Sequence, residues 1–205
     1  GYVLFSPLNE SKLTLLIDME GNEVHHWEQD CEPGNYGYLL PNGNLFLNAK
    51  IEDEYRDLFP RFVLFKGGAL REIDWEGNTV WEHRDTLHHH EGRRLSHGGA
   101  IYLALEEVPD ELARTVKGGV EVDGPMWSDV VREVDAQGNL IWEWHSKNHL
   151  DPDIDRLDFN SARVEWAHLN AAFPIEDGTI LMSARHISTV FTVDRKSGAI
   201  IRRWG

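Results

Sequence analysis

One phrase recurs four times along the chain: LIDMEGNEVHHW at 16–27, EIDWEGNTVWEH at 72–83, EVDAQGNLIWEW at 133–144 and TVDRKSGAIIRRW at 192–204. Its leading aspartates are Asp18, Asp74, Asp135 and Asp194. A period of this length restricts a chain to repeat architectures. The phrase itself reads as a hairpin: an alternating strand stops at Asp, Gly supplies a turn with positive φ, and a second strand follows. The Asp carboxylate is placed to accept backbone N–H groups of the turn. A second hairpin type alternates with the first, in YLLPNGNLFLNA at 38–49, RRLSHGGAIYLAL at 93–105 and AAFPIEDGTILMSA at 171–184.

Two hairpins per unit make four antiparallel strands, and four-stranded sheets repeated along a chain predict an all-β fold, a β-propeller. A β-sandwich with irregular turns is the rival. The expected blades cover 36–84, 89–145 and 168–205, with a half-blade at 1–30, in a single domain spanning 1–205. About three and a half blades fall short of the four to eight that usually close a ring. The expectation is therefore a fragment of a larger propeller, or one completed by a second copy or another chain. Trp27, Trp81, Trp142 and Trp204 are read as one repeated position that packs blade on blade, since aromatics bury large areas. Two segments interrupt the repeat: 106–129, with a single helical turn and a Gly-rich connector, and 145–166.

Charge narrows the partners. Lys and Arg number 20 against 35 Asp and Glu, a net charge of −15. Such a surface repels phosphate backbones and anionic lipid, so no nucleic-acid partner is expected. An anionic substrate would need a locally basic pocket. No apolar run approaches the roughly 18 residues that span a bilayer. Cys31 is the single cysteine, which rules out an intrachain disulfide and leaves the redox compartment open.

Eleven histidines are the chemically notable surplus. His168 stands before one strand of the AAFPIEDGTILMSA hairpin, and Arg185 and His186 follow the other, so adjacent strands would bring all three to one sheet edge. That edge is either packing or an anion site. His89 and His90 stand at the equivalent place one repeat earlier, and first strands line a propeller's channel, so His89 or His90 is expected to share a channel mouth with His168. Trp127 and Trp166 lie outside the repeated phrase and are candidate pocket walls for an aryl substrate. Three or four histidines could also hold zinc or copper. No HExxH or CxxC spacing supports this, and His88 and His90 on one strand face are weak ligand geometry. DPDIDRLDFNSA at 151–162 starts like a calcium loop with Asp151, Asp153 and Asp155. It has Arg156 at the turn glycine and Ala162 at the closing glutamate. Neither a metal nor a cofactor is expected. NES at 9–11 is a glycosylation sequon of low specificity.

Taken in order, GYVLFSP, LIDMEGNEVHHW, YLLPNGNLF, REIDWEGNTVWEH, HHE, DGPMWSDVVREVDAQGNLIWEWH, NHLDP, EWAHLNA, ILMSARH and VFTVDRKSGAIIRRWG resemble the arylsulfotransferase family over nearly the whole chain. The resemblance implies a six-bladed propeller. It implies transfer of a sulfuryl group from a small-molecule aryl sulfate to a phenol, by a ping-pong route through a sulfated histidine and without a nucleotide donor. Carried over by motif, His168 of WAHLN and Arg185 of SARH would bind sulfate, and His89 or His90 of HHE would contribute a third group. Asn170 and His186 would lie beside them. The nucleophilic histidine of such enzymes lies in a later blade, past residue 205. The resemblance points to a periplasmic or secreted location, with the cytoplasm left open. The residues alone keep two other readings: a propeller that binds an anionic ligand or partner without turnover, and a different His-based enzyme, a lyase or a metal-dependent oxidoreductase.

Overall fold

A computed structural model describes residues 1–7, 11–175 and 177–205. The sequon asparagine, Asn9, lies outside the described residues. The first sheet holds β1 (Tyr2–Phe5), β2 (Leu13–Asp18) and β3 (Glu23–Glu28), all antiparallel. The second runs β4 (Pro33–Leu39), β5 (Leu45–Lys50), β6 (Gly68–Ile73) and β7 (Thr79–Arg84), with a short α1 (Phe62–Phe65) between β5 and β6. After β8 (His88–Arg94) and β9 (Ala100–Glu107), the connection carries α2 (Asp110–Ala113) and β10 (Gly118–Val120). Then β11 (Trp127–Val134) and β12 (Leu140–His145) complete a third sheet of order β12-β11-β9-β8. β13 (Leu157–Ala162) pairs in parallel with β10, and β14 (Glu165–Trp166) in parallel with β11. The last sheet runs β15 (Leu169–Pro174), β16 (Thr179–Ala184), β17 (Thr189–Asp194) and β18 (Ile200–Trp204) in chain order. These meandering four-stranded antiparallel sheets are β-propeller blades. The chain divides into two compact units, Gly1–Gly92 and Arg93–Gly205, with the boundary inside β8.

The repeated phrase folds as its chemistry demands. Each turn glycine has positive φ: 88° at Gly21, 91° at Gly77, 83° at Gly138 and 74° at Gly198. Each aspartate accepts from the turn backbone. Asp18 Oδ1 takes Glu20 N at 3.0 Å and Asn22 N at 2.8 Å, and Asp74, Asp135 and Asp194 repeat the bond to Asn78, Asn139 and Ser197. Side-chain bonds from Asn22, Asn78, Asn139 and Ser197, reinforced by these backbone donors, hold the four carboxyls below the usual range.

The tryptophans act differently from the expected single position. Counted from the turn glycine, Trp27, Trp144 and Trp204 share one position, whereas Trp81 and Trp142 sit two residues earlier, on the same strand face. In the first unit, the Trp27 indole is 1% exposed and donates to Asp74 O at 2.8 Å, the turn of the next blade. In the second unit, Trp142 donates to Arg195 O at 3.0 Å and Trp144 to Gly198 O at 2.9 Å, again the neighbouring turn. Trp27, Trp142 and Trp144 therefore staple a blade's last strand to the following hairpin. Trp81 is half-buried against Phe46, and Trp204 is 51% exposed. Trp27→Phe, which keeps the ring and loses the indole donor, is expected to cost about 1 kcal/mol. Trp27→Ala is expected to cost about 3–5 kcal/mol. Trp204→Phe should leave the urea midpoint nearly unchanged. Denaturation curves of the three variants check the ranking.

Candidate functional site

The second unit assembles its polar cluster where β14 turns into β15. β14 is positioned by parallel pairing, Trp127 with Glu165 and Ser128 with Trp166. The chain then reverses through two consecutive non-glycine residues in the left-handed region, Ala167 at φ 74° and His168 at φ 54°. Each costs on the order of 1–2 kcal/mol, and such strain concentrates where geometry serves function. The conformation is held from three sides. His168 O accepts Arg185 N at 3.0 Å, Ala167 O accepts His186 N at 2.8 Å, and Asp129 Oδ1 catches the first amide of β15, Leu169 N, at 2.9 Å. Asp129 is itself fixed through its own amide, which donates to Ser146 Oγ at 3.1 Å.

The left-handed turn brings Glu165 onto the ring of His168, three residues later. Glu165 Oε2 lies 2.5 Å from His168 Nδ1, with the two residues 1% and 3% exposed. A carboxylate there accepts the Nδ1 proton and sets the tautomer of the ring. His186 stacks on His168 with ring centroids 4.5 Å apart and donates from Nδ1 to Glu165 O at 3.0 Å. Burial pushes the His186 pKa down, so that ring is neutral at neutral pH. Glu165, His168 and His186 each offer a ligand-type atom within 4.8 Å of the others. Their orientation does not suit a metal. An imidazole binds through a lone pair in its own plane, and these rings are stacked 26° from parallel with both Nδ1 atoms engaged. The arrangement is a hydrogen-bonded stack.

Arg185 and Asn170 flank it in sequence. Arg185 is exposed, and its guanidinium makes no hydrogen bond or ion pair among the described residues. Asn170 is the extra residue of a β-bulge: Leu169 pairs with Ala184 and Ala171 with Ser183, which turns Asn170 outward to an exposed position. His168, Arg185, His186 and Asn170 are thus brought to one edge. Trp166 is 0% exposed and donates to Asp155 O at 2.8 Å, which places it in the core rather than on a pocket wall. Trp127 is half-buried on β11, next to Glu165 in register. In the segment 151–162, which ends in β13, Asp151 and Asp153 are exposed and Asp155 is buried, where it accepts Asp151 N at 2.8 Å and is bound by Arg203.

His89 and His90 belong to the first unit. HHHEGRR forms strand β8, with His88 and His89 buried and His90 half-buried. His89 Nδ1 and His90 Nδ1 are 2.9 Å apart, so one donates and the other accepts. His90 has φ 49°, stacks on Phe65 at 4.6 Å and accepts Asn48 Nδ2 on its carbonyl at 2.5 Å. That left-handed residue breaks the alternation that would set His88 and His90 on one face.

Known proteins corroborate the architecture. A family model described as Arylsulfotransferase (ASST) matches residues 3–204. A crystal structure of a protein of unknown function from Bacteroides caccae superposes with a TM-score of 0.55 at 15% identity, covering 100% of this chain and 57% of that one. Hydrazine synthase from Kuenenia stuttgartiensis superposes with a TM-score of 0.58 at 12% identity, covering 95% and 49%. This chain spans about half the length of both, and at such identities the likeness concerns the fold. No curated protein matches. With the repeated hairpins, the WAHLN and SARH segments and a family match from end to end, the chain belongs to the arylsulfotransferase family.

Proposed function

We propose that this chain supplies the sulfate-holding groups of an arylsulfotransferase-type enzyme, which moves a sulfuryl group from an aryl sulfate to a phenol. The observation that carries the reading is the pairing of His168 and Arg185 across one strand edge through the Arg185 N–H bond to His168 O at 3.0 Å. That bond supports the reading because it joins the backbone of Arg185, whose exposed guanidinium has no hydrogen bond or ion pair among the described residues, to the residue whose ring Glu165 holds at Nδ1.

Sulfuryl transfer, by analogy with phosphoryl transfer, spreads charge over equatorial oxygens and depends on positioned cationic donors. The planar fork of Arg185 matches such oxygens, and Asn170 adds an amide. In the net reaction the S–O bond to the donor aryl group breaks and an S–O bond to the acceptor phenol forms. The proton released by the acceptor ends on the departing phenolate. The His168 imidazole is a residue type suited to carry that proton or to hold a sulfuryl oxygen. The role of His89 or His90 as a further donor rests on the family resemblance alone.

The test is 4-nitrophenyl sulfate with a phenol acceptor. Acceptor-dependent release of 4-nitrophenolate is expected, cut about 10²-fold or more by Arg185→Ala and only partly restored by Arg185→Lys, which lacks the fork. Equal rates for Arg185→Ala and the parent would overturn the assignment. Calorimetric binding of the sulfate ester without release would replace the transferase with a binding module.

A further inference from the structure

The first unit carries seven Lys and Arg against seventeen Asp and Glu. Six of those seven cations, Lys12, Lys50, Arg56, Lys66, Arg71 and Arg84, line one cavity of about 430 Å³. They come from the residue before β2, the end of β5, the β5–β6 connection, β6 and the end of β7, so nothing in local sequence groups them. Asp30, Glu32 and Glu52 line the same cavity, and Asp53 and Glu82 pair with Lys66, Arg71 and Arg84, so six cations meet five acids in a unit whose acids otherwise outnumber its cations more than two to one.

Two of the cations are buried and held rigid. Arg71 is 5% exposed and is clamped by Asp30 and by Glu82 Oε2, the latter at 2.5 Å from Nε. Lys66 is 2% exposed and donates to Asp53 Oδ2 at 2.9 Å and Thr86 O at 2.8 Å. The same ammonium stands 5.2 Å from the centroid of the Phe62 ring. At the rim, Lys50 stands 3.7 Å from Glu32, longer than a hydrogen bond, and Lys12 spends one donor on Asp30 O at 3.0 Å. Ile51, Val63 and the Cys31 thiol provide an apolar wall. Buried ion pairs roughly break even as a stability device, so stability alone does not account for gathering almost every cation of the unit at one cavity.

We infer that this cavity is a second, separate anion site, which binds a small organic oxyanion, an apolar or aromatic body bearing carboxylate or sulfate. Its volume lies within the usual range of ligand pockets. None of its lining residues belongs to the His168 cluster, so the inference stands apart from the transferase reading.

Cys31, the only cysteine, lines the cavity and serves as a reporter. Burial pushes its pKa up to about 11, which makes the thiol slow toward neutral reagents. The experiment compares the anionic aromatic disulfide 5,5′-dithiobis(2-nitrobenzoate) with neutral 4,4′-dithiodipyridine, each rate normalised to N-acetylcysteinamide. The cavity should concentrate the anionic reagent, giving a relative gain of about tenfold or more, with saturation and with protection by millimolar phthalate. The charge reversal Lys50→Glu with Arg56→Glu, at exposed or half-exposed rim positions, should abolish the gain without lowering the urea midpoint. Calorimetric titration with phthalate is the second readout, independent of thiol access. A normalised ratio near one with no phthalate heat, or a gain that survives the charge reversal, would overturn the proposal.

Discussion

Glu165→Gln is expected to lower sulfuryl transfer about tenfold to a hundredfold, and His168→Ala about 10²- to 10⁴-fold. The first figure follows from the loss of a buried charge-assisted hydrogen bond, worth about 1.5–3 kcal/mol, with each 1.36 kcal/mol a factor of ten. Glu165 touches no substrate in this reading; it acts through the ring it holds at 2.5 Å. A purely structural role would move the urea midpoint and leave the ring chemistry alone. The discriminating measurement is therefore the ¹⁵N spectrum of His168. The parent should carry its proton on Nδ1, and Glu165→Gln should shift population to the other tautomer while unfolding at a similar urea concentration. Unchanged turnover in Glu165→Gln together with loss in His168→Ala would leave His168 in place and remove Glu165 from the mechanism. Unchanged turnover in both would remove the site itself.

The contrast between Glu165 and the repeats shows what the sequence could convey. The blades were legible because each was written twice over, in strand alternation and in turn chemistry: Asp18, Gly21 and their three counterparts specify both the positive-φ residue and the acceptor that caps it. The sheet edge bearing His168 and Arg185 was legible because it followed from hairpin register. Glu165 was not. Residues three apart on a strand point to opposite faces, and they meet here only because Ala167 and His168 adopt left-handed backbone that neither residue type advertises. The spacing Glu-x-x-His was present in EWAH, but its meaning depended on a strained turn held by Asp129, forty residues earlier. The same limit hid the outward turn of Asn170, which requires a bulge, and the burial of Trp166, which requires the carbonyl of Asp155. The six cations of the first unit were invisible for a simpler reason, being scattered from Lys12 to Arg84 until the strand ends gather them. The misaligned tryptophans are the opposite case: counting from the turn glycine separates Trp142 from Trp144, and the information was there.

The first unit should lose stability as pH falls from about 6.5, well before its carboxylates titrate. His88 is 1% exposed and accepts Gly68 N–H on Nδ1 at 3.1 Å. Burial, with a smaller contribution from the neighbouring His89, pushes its pKa down to about 3. The unfolded chain titrates this ring near 6.5, so between those values the unfolded state binds a proton that the folded state refuses. Stability contributed by the neutral ring is complete above pH 6.5 and falls as pH drops toward 3, by up to about 1.4 kcal/mol per pH unit. Over the accessible part of that window the loss is on the order of 3 kcal/mol, a large share of a typical domain's stability. The lowered pKa values of His149 and His186 carry the same sign into the second unit. The turn aspartates Asp18 and Asp74 add to the loss only at lower pH, because hydrogen bonds to Asn22 and Asn78 hold their carboxyls below 3.8. Urea denaturation at pH 7.5, 6 and 5 measures the slope. His88→Asn keeps an acceptor near the Gly68 amide but removes the titrating ring. It should be less stable than the parent at pH 7.5 and show a flatter slope, the two curves converging as pH falls. Parallel slopes would show that His88 is not the group that makes the fold sensitive to acid. Gly67→Ala offers a cross-check from the packing side. A Cβ there would lie 2.0 Å from His88 Nδ1, so the substitution must displace the ring and should destabilise the unit at every pH.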